Sequence, residues 1–215
     1  MTFDKLFRSG YSVLYSDISK SCRIHFKLNH LHFSLKKIEA EAEFEAIRNL
    51  YITAFPPNER REFDELKKQI YHVECDVNLI LTGERIAGFV ILWNFTDFVF
   101  LEHFAIEPGL RGLGIGERTL AEIKSRFQKT VILETEMPND ELSQRRIRFY
   151  ERNGFHKLSR SYFQPAYNAN KPEVELKLMI TNIDLDENQV DKYISLIKGK
   201  VYQNFSLPQF NFKPN

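Results

Sequence analysis

Between positions 107 and 116 the chain reads Glu107-Pro108-Gly109-Leu110-Arg111-Gly112-Leu113-Gly114-Ile115-Gly116, directly ahead of Leu120, Ile123 and Phe127, which recur at helical spacing. Glycines at such a junction let the backbone turn tightly with its N–H groups facing outward. Those donors, together with the positive end of the helix that follows, suit a phosphate group. Two other phosphate loops are excluded by residue type. A dinucleotide-binding G-x-G-x-x-G begun at Gly112 needs glycine where Glu117 stands, and one begun at Gly114 needs it where Thr119 stands. A P-loop begun at Gly109 reaches Gly114 correctly but then meets Ile115-Gly116 in place of Lys-Ser/Thr. On its own the segment fits an ordinary glycine-rich strand-to-helix turn as well as it fits a ligand loop.

Glu102 is the second candidate. Alternation along the preceding strand puts it on one face with Phe98, Phe100, Phe104 and Ile106, a carboxylate in an otherwise apolar row, and sends His103 to the opposite face as a core histidine. Such a carboxylate either handles protons or pairs with one of the chain's many arginines. Glu134 and Glu136, on the next strand, are weaker candidates for the same work. His25, His30, His32, His72, His103 and His156 show no ligand spacing with nearby cysteines, so no metal is expected.

The elements that position these residues follow from periodicity. A strand is predicted over 31–38, then a helix carrying Phe44, Ile47, Tyr51, Ala54 and Phe55 and ending at Pro56-Pro57, then a second helix marked by Phe63, Leu66 and Ile70. Strands over 76–82, 85–93 and 98–106 come in quick succession with turn residues between them, which makes them antiparallel neighbours. After the helix through Leu120 come a buried strand at Val131-Ile132-Leu133 and a helix capped by Asn139 or Asp140 that Gly154 terminates. Strands over 156–163 and 173–180 and a last helix with Val190, Tyr193, Ile194, Ile197 and Val201 close the pattern. One strand-helix-strand crossover among hairpins predicts an α/β (α+β) fold: a mixed, mostly antiparallel sheet of six to seven strands with helices on both faces. The expected division is an N-terminal extension of unknown role (1–29), one domain (30–181), and a C-terminal helix and tail packed on it (182–215).

Composition narrows the partners. Lys plus Arg total 30 against 29 for Asp plus Glu, a formal net charge of +1, so no field favours nucleic acid or an anionic membrane. Cys22 and Cys75 form neither a CxxC pair nor a disulfide framework. The longest apolar stretch, Ile86 to Trp93, is too short to span a bilayer, and the expected location is cytoplasmic.

Two of these segments together resemble a known family. Arg111-Gly112-Leu113-Gly114-Ile115-Gly116 is similar to the R/Q-x-x-G-x-G/A signature of the GNAT N-acetyltransferases, and Phe149-Tyr150-Glu151-Arg152-Asn153-Gly154-Phe155 resembles the F-Y-E-x-x-G-F end of the family's second motif. The resemblance covers roughly 31–180. It implies a domain that moves the acetyl group of acetyl-CoA to a primary amine by direct attack in a ternary complex, without a covalent acyl-enzyme. It further implies that backbone N–H groups of Arg111, Gly112, Leu113, Gly114, Ile115 and Gly116 hold the pyrophosphate of coenzyme A. The pantetheine arm would pair with Phe104, Ala105 and Ile106, whose backbone also stabilises the oxyanion. Tyr150 stands where many members protonate the departing thiolate, and Glu102 becomes the candidate base for an amine that is mostly protonated at neutral pH. Ser143 occupies a position where members often carry an asparagine that bonds the pantetheine. Of the arginines at 145, 146, 148 and 152, a solvated helix face by default, Arg146 is the one placed near a phosphate. Phe55, Arg60, Tyr162 and Tyr167 are candidates to line the acceptor site, whose ligand the spacing does not specify. A non-catalytic acyl-CoA-binding or regulatory module, a longer acyl donor and pairing with a second copy of the chain all stay open.

Overall fold

The computed structural model describes residues 32–69 and 72–202. The expected N-terminal extension, with the alternating Ile24, Phe26 and Leu28, lies outside the described residues. The strands are β1 (Phe33–Lys37), β2 (Cys75–Thr82), β3 (Arg85–Asn94), β4 (Phe98–Ile106), β5 (Thr130–Glu136), β6 (His156–Lys157), β7 (Tyr162–Gln164) and β8 (Val174–Ile180). The helices are α1 (Glu41–Glu45), α2 (Arg48–Ala54), α3 (Phe63–Gln69), α4 (Ile115–Phe127), α5 (Glu141–Arg152) and α6 (Glu187–Ile197), and α6 runs on into a π-helical turn, Lys198–Tyr202. Eight strands form one sheet in the order β1-β2-β3-β4-β5-β8-β6, with β7 also paired to β8. All described pairings are antiparallel except β4 with β5, the strands that α4 connects.

Period-2 alternation divides the core between the two faces of this sheet. Phe89, Ile91, Trp93, Phe98 and Phe100 face the cluster built with Phe44, Tyr51 and Leu66 of the early helices and Tyr193 and Ile197 of α6. Val90, Leu92, Val99 and Leu101 face the cluster built with Ile115, Leu120 and Ile123 of α4 and Ile147 and Tyr150 of α5. Helices on both faces are what the sequence predicts for the mixed sheet.

Two elements differ from expectation. The first predicted helix is two, because the ladder tightens to an i→i−3 bond from Ile47 N–H to Phe44 O (3.2 Å). The predicted strand over 156–163 is also two. Lys157 pairs with Met179 and Tyr162 with Leu176, so five steps on one side face three on β8 and the surplus loops out. Among the described residues this split makes the sheet eight-stranded.

A bulge on β4 also overturns the predicted facing of Glu102 and His103. Ile91 pairs with His103 and Leu92 with Leu101, leaving Glu102 without a partner on β3. The extra residue inverts the alternation, so Phe104 and Ile106 pack with the α4–α5 side while Ala105 joins the opposite cluster. Glu102 therefore does not share a face with Phe104 and Ile106. His103 lies on the same side as Glu102, with its ring against Tyr51 (5.3 Å) and Phe55 (4.4 Å) of the early-helix cluster.

Candidate active site

β4 and β5 are paired only from Phe98↔Thr130 to Leu101↔Leu133. Beyond Leu101 the strands part, and a cavity of about 450 Å³ threads the gap from one face of the sheet to the other. Its walls include the β4 residues Phe104, Ala105 and Ile106, whose backbone edge toward β5 has no strand beside it.

At one end lies the glycine loop. Gly112 (φ 76°) and Gly114 (φ 77°) take the left-handed conformation that other residues adopt at a cost, and Gly114 is the residue from which α4 springs. Arg118 N–H is the first to close onto the helix, at Gly114 O (3.1 Å), and no acceptor among the described residues meets the N–H groups of residues 112–117. Unmet donors at a helix start are the arrangement an anionic group requires. The Arg111 side chain is drawn back by a bond from its Nε to Ile106 O (3.0 Å). Arg111, Gly112, Gly114, Ile115 and Gly116 line the cavity, as do Arg145, Arg146 and Arg152 of α5. Leu113 is not among its lining residues and instead packs on the core. The residues present therefore fit a phosphate-bearing ligand.

Tyr150 lines the middle of the same cavity beside Phe149 and Phe155 (ring centroids 5.3 and 5.7 Å). Burial pushes its hydroxyl up to about 12, against a smaller opposing pull from Arg146, so the phenol is protonated at neutral pH. No hydrogen-bond partner meets that hydroxyl among the described residues. Ser143 lies elsewhere. Its hydroxyl donates to Asp140 Oδ1 (2.8 Å) and accepts from Asp140 N–H (3.1 Å), closing the α5 capping box, and it lines a smaller neighbouring cavity together with Asp140 and Asn139.

The other end is a network of buried polar side chains. Glu102, whose side chain is 0% exposed, is ion-paired with Arg61 through Oε1, which also accepts from Tyr167 OH (3.0 Å), while Oε2 accepts from Trp93 Nε1 (2.6 Å). The Arg61 guanidinium also donates to Val201 O and lies over the Tyr167 ring (4.6 Å). His103 is held neutral: burial, then Arg61, pull it down to about 3. Its Nε2 lies 3.1 Å from Glu59 O, a carbonyl that can only accept, so Nε2 carries the proton and Nδ1 an unpartnered lone pair.

Glu134 sits across the gap on β5. Tyr162 OH donates to its Oε1 and Tyr202 OH to its Oε2 (2.6 Å). Burial raises its carboxyl to about 7, opposed by those two phenols. Glu136, one pleat further on, is ion-paired with Arg146. Of the residues considered for the acceptor site, Phe55 lines the cavity, whereas Tyr162 and Tyr167 stand behind its carboxylates. Arg60 donates to the Phe55 and Arg61 carbonyls (3.3 Å each) and is not among the lining residues. Arg61, Trp93 and Tyr202, with Gln164, which also lines the cavity, are absent from the candidates the sequence offers. Only Trp93 carried a usable signal, as the one tryptophan of the chain. Among the described residues no group of three or more His, Cys, Asp or Glu is placed to hold a metal ion, and no helix is long and apolar enough to cross a membrane.

Known proteins share this fold. A sequence model of the acetyltransferase (GNAT) family matches residues 44–155. A structure from Bacteroides thetaiotaomicron, described as a GNAT-family acetyltransferase, is 30% identical with a TM-score of 0.72, over 80% of this chain and 98% of that one. The ribosomal-protein-S18-alanine N-acetyltransferase from Escherichia coli shares the fold at 20% identity and a TM-score of 0.52, over 73% of this chain and 98% of its own. An aminoglycoside 6′-N-acetyltransferase complexed with coenzyme A does so at 15% and 0.55, over 73% and 100%. No curated protein sequence matches the chain.

Proposed function

The chain belongs to the GNAT acetyltransferase family, and from that premise we propose that it transfers the acetyl group of acetyl-CoA to a primary amine by direct attack, with Glu134 as the proton acceptor and Tyr150 as the donor to the departing sulfur. The observation that carries this reading is the cavity itself, which joins unmet backbone donors at the start of α4 to a carboxyl poised near neutrality on β5. The N–H groups of residues 112–116 hold the pyrophosphate. The free edge of Phe104, Ala105 and Ile106 aligns the pantetheine and directs N–H toward the thioester oxygen. Glu134 takes a proton from the amine as its nitrogen bonds to the acetyl carbon and the C–S bond breaks. A carboxyl near 7 is suited to this, since it is substantially ionised at neutral pH and still basic. Full proton transfer from a phenol near 12 to a thiolate whose acid lies near 8.5 is uphill, so Tyr150 acts first as a hydrogen-bond donor to the sulfur.

Glu102 is less suited to the base. A base needs lone pairs open to the substrate, and Arg61, Tyr167 and Trp93 take three of the roughly four on Glu102, against the two that phenols take on Glu134. Its role in this reading is to hold Arg61 and the β4 bulge in place.

The test is release of free thiol from acetyl-CoA by the purified protein across a panel of primary amines, alongside thermal unfolding with coenzyme A, NAD or ATP. Thiol release that requires both substrates is expected, with coenzyme A stabilising by about 2.7 kcal/mol at a hundred times its Kd and NAD or ATP by much less. Stabilisation by coenzyme A with no turnover of any amine would instead favour a non-catalytic acyl-CoA-binding module.

A further inference from the structure

The π-helical turn Lys198–Tyr202 reaches both arms of the parted strands. On the β4 side Val201 O accepts from Arg61, the partner of Glu102. On the β5 side Tyr202, 1% exposed, donates to Glu134 Oε2 (2.6 Å), and its ring packs at 5.0 Å from that of Tyr167, which itself donates to Glu102. Tyr162, from β7, donates to the other Glu134 oxygen. One phenol on each oxygen fixes the plane of the carboxylate from behind and leaves further lone pairs on both oxygens. The protein around Glu134 has few other ways to hold it. The charged or titratable groups that face it are Tyr162 from β7, Tyr167 from the following loop, Lys198 and Tyr202 from the turn, and Glu59 from the segment before α3. Glu136, on its own strand, is tied to Arg146.

We propose that Tyr202 and Tyr162 are positioning residues for Glu134, so that the turn after α6 is a working part of the acceptor side and not merely a packed tail. The inference rests on the reading of Glu134 as the proton acceptor. Two phenols that donate to the ionised form favour it, and Tyr162 and Tyr202 oppose the burial that raises this carboxyl. Removing either hydroxyl leaves burial less opposed, and the carboxyl becomes harder to ionise. The sign is therefore upward: a rate that depends on ionised Glu134 is lost at a higher pH in the variants than in the wild type.

The experiment is a pH titration, from 4.5 to 9, of the side-chain carboxyls in protein carrying carbon-13 at the glutamate δ position. The Glu134 resonance is assigned by its absence in Glu134→Gln, and thermal unfolding of each variant is recorded alongside. Tyr202→Phe and Tyr162→Phe, which keep the ring and lose the hydroxyl, should each raise the Glu134 midpoint by about one pH unit. Turnover at pH 7 with the best amine of the panel should fall about fivefold, as the ionised fraction drops from about one half to about one tenth. The KM for acetyl-CoA should not change. A Glu134 midpoint that stays in place in both folded variants overturns the positioning role and leaves the base reading standing. Undiminished turnover by Glu134→Gln overturns the base reading, and the positioning role falls with it. Should Tyr202→Phe fail to fold, Tyr162→Phe carries the same measurement.

Discussion

The glycine-loop end of the cavity, the proposed phosphate site, centres on one continuous stretch, residues 106–117, whose open atoms are backbone N–H groups aimed by two left-handed glycines. The opposite end, the proposed acceptor side, draws on Arg61, Trp93, Glu102, Glu134, Tyr162, Tyr167 and Tyr202, whose side-chain oxygens and nitrogens hold one another. A backbone site tolerates any side chain that allows the conformation and is harmed where a Cβ intrudes. A side-chain network fails when a single member is removed, because the remainder is left buried and unmet. The same cavity should therefore show two kinds of sensitivity to mutation.

The largest effect belongs to the network. Arg61→Met should destabilise the fold by about 3–5 kcal/mol in chemical denaturation, since it strands the buried Glu102 carboxylate. Arg61→Met combined with Glu102→Gln should recover a good part of that loss. A single variant within 1 kcal/mol of the wild type would show that solvent reaches Glu102 and would erase the contrast between the two ends.

Tyr150→Phe comes next. It should lower kcat by about a hundredfold at unchanged fold stability, and the defect should shrink with an acetyl thioester of a more acidic thiol, provided that donor still binds. Equal defects with both donors would remove Tyr150 from sulfur departure.

Gly114→Val tests the backbone end. A β-branched residue at φ 77° is strained by about 1–2 kcal/mol, and its side chain meets Glu117 Oε2, already 3.4 Å from where a Cβ would stand. The KM for acetyl-CoA should rise on the order of tenfold or more with that for the amine unchanged, which would confine the damage to one end.

The smallest effect is expected at Ser143. Because its hydroxyl closes the α5 cap with Asp140, Ser143→Ala should cost about 1 kcal/mol or less in stability and leave the KM for acetyl-CoA within about twofold. A tenfold rise would restore it as a pantetheine contact.

The same contrast explains what could be read from the sequence. The glycine loop was legible because backbone conformation writes itself into residue type locally: glycine where φ is positive, and a helix directly after. The succession of strands and helices along the chain was legible because alternation and turn residues are local too, whereas the place of β8 between β5 and β6 was not. The facing of Glu102 was not, since one bulged residue inverts the side-chain alternation and nothing in Leu101-Glu102-His103 marks it. Arg61 cannot be told from Arg60 in the sequence, because only the fold decides which of two adjacent arginines turns inward to meet a carboxylate 41 positions away. Nothing near Glu134 in the sequence marks it, because the phenols that meet its two oxygens, Tyr162 and Tyr202, lie 28 and 68 positions away. Conversely, Ser143 stands where the motif often has asparagine, and a local cap uses its hydroxyl.

The 140 positions that separate Arg61 from Val201 also bear on how the protein is made. Translation is vectorial, and domains take shape as the chain emerges from the ribosome. The strand, glycine loop and helix over 98–127 are synthesised first, and β5 follows by residue 136. The second oxygen of Glu134 and the second partner of Arg61 are delivered only with residues 201 and 202. Domains fold as units, so a message cut short before residue 201 yields a chain in which Arg61 and Glu134 each lack one of the bonds that hold them in the finished domain.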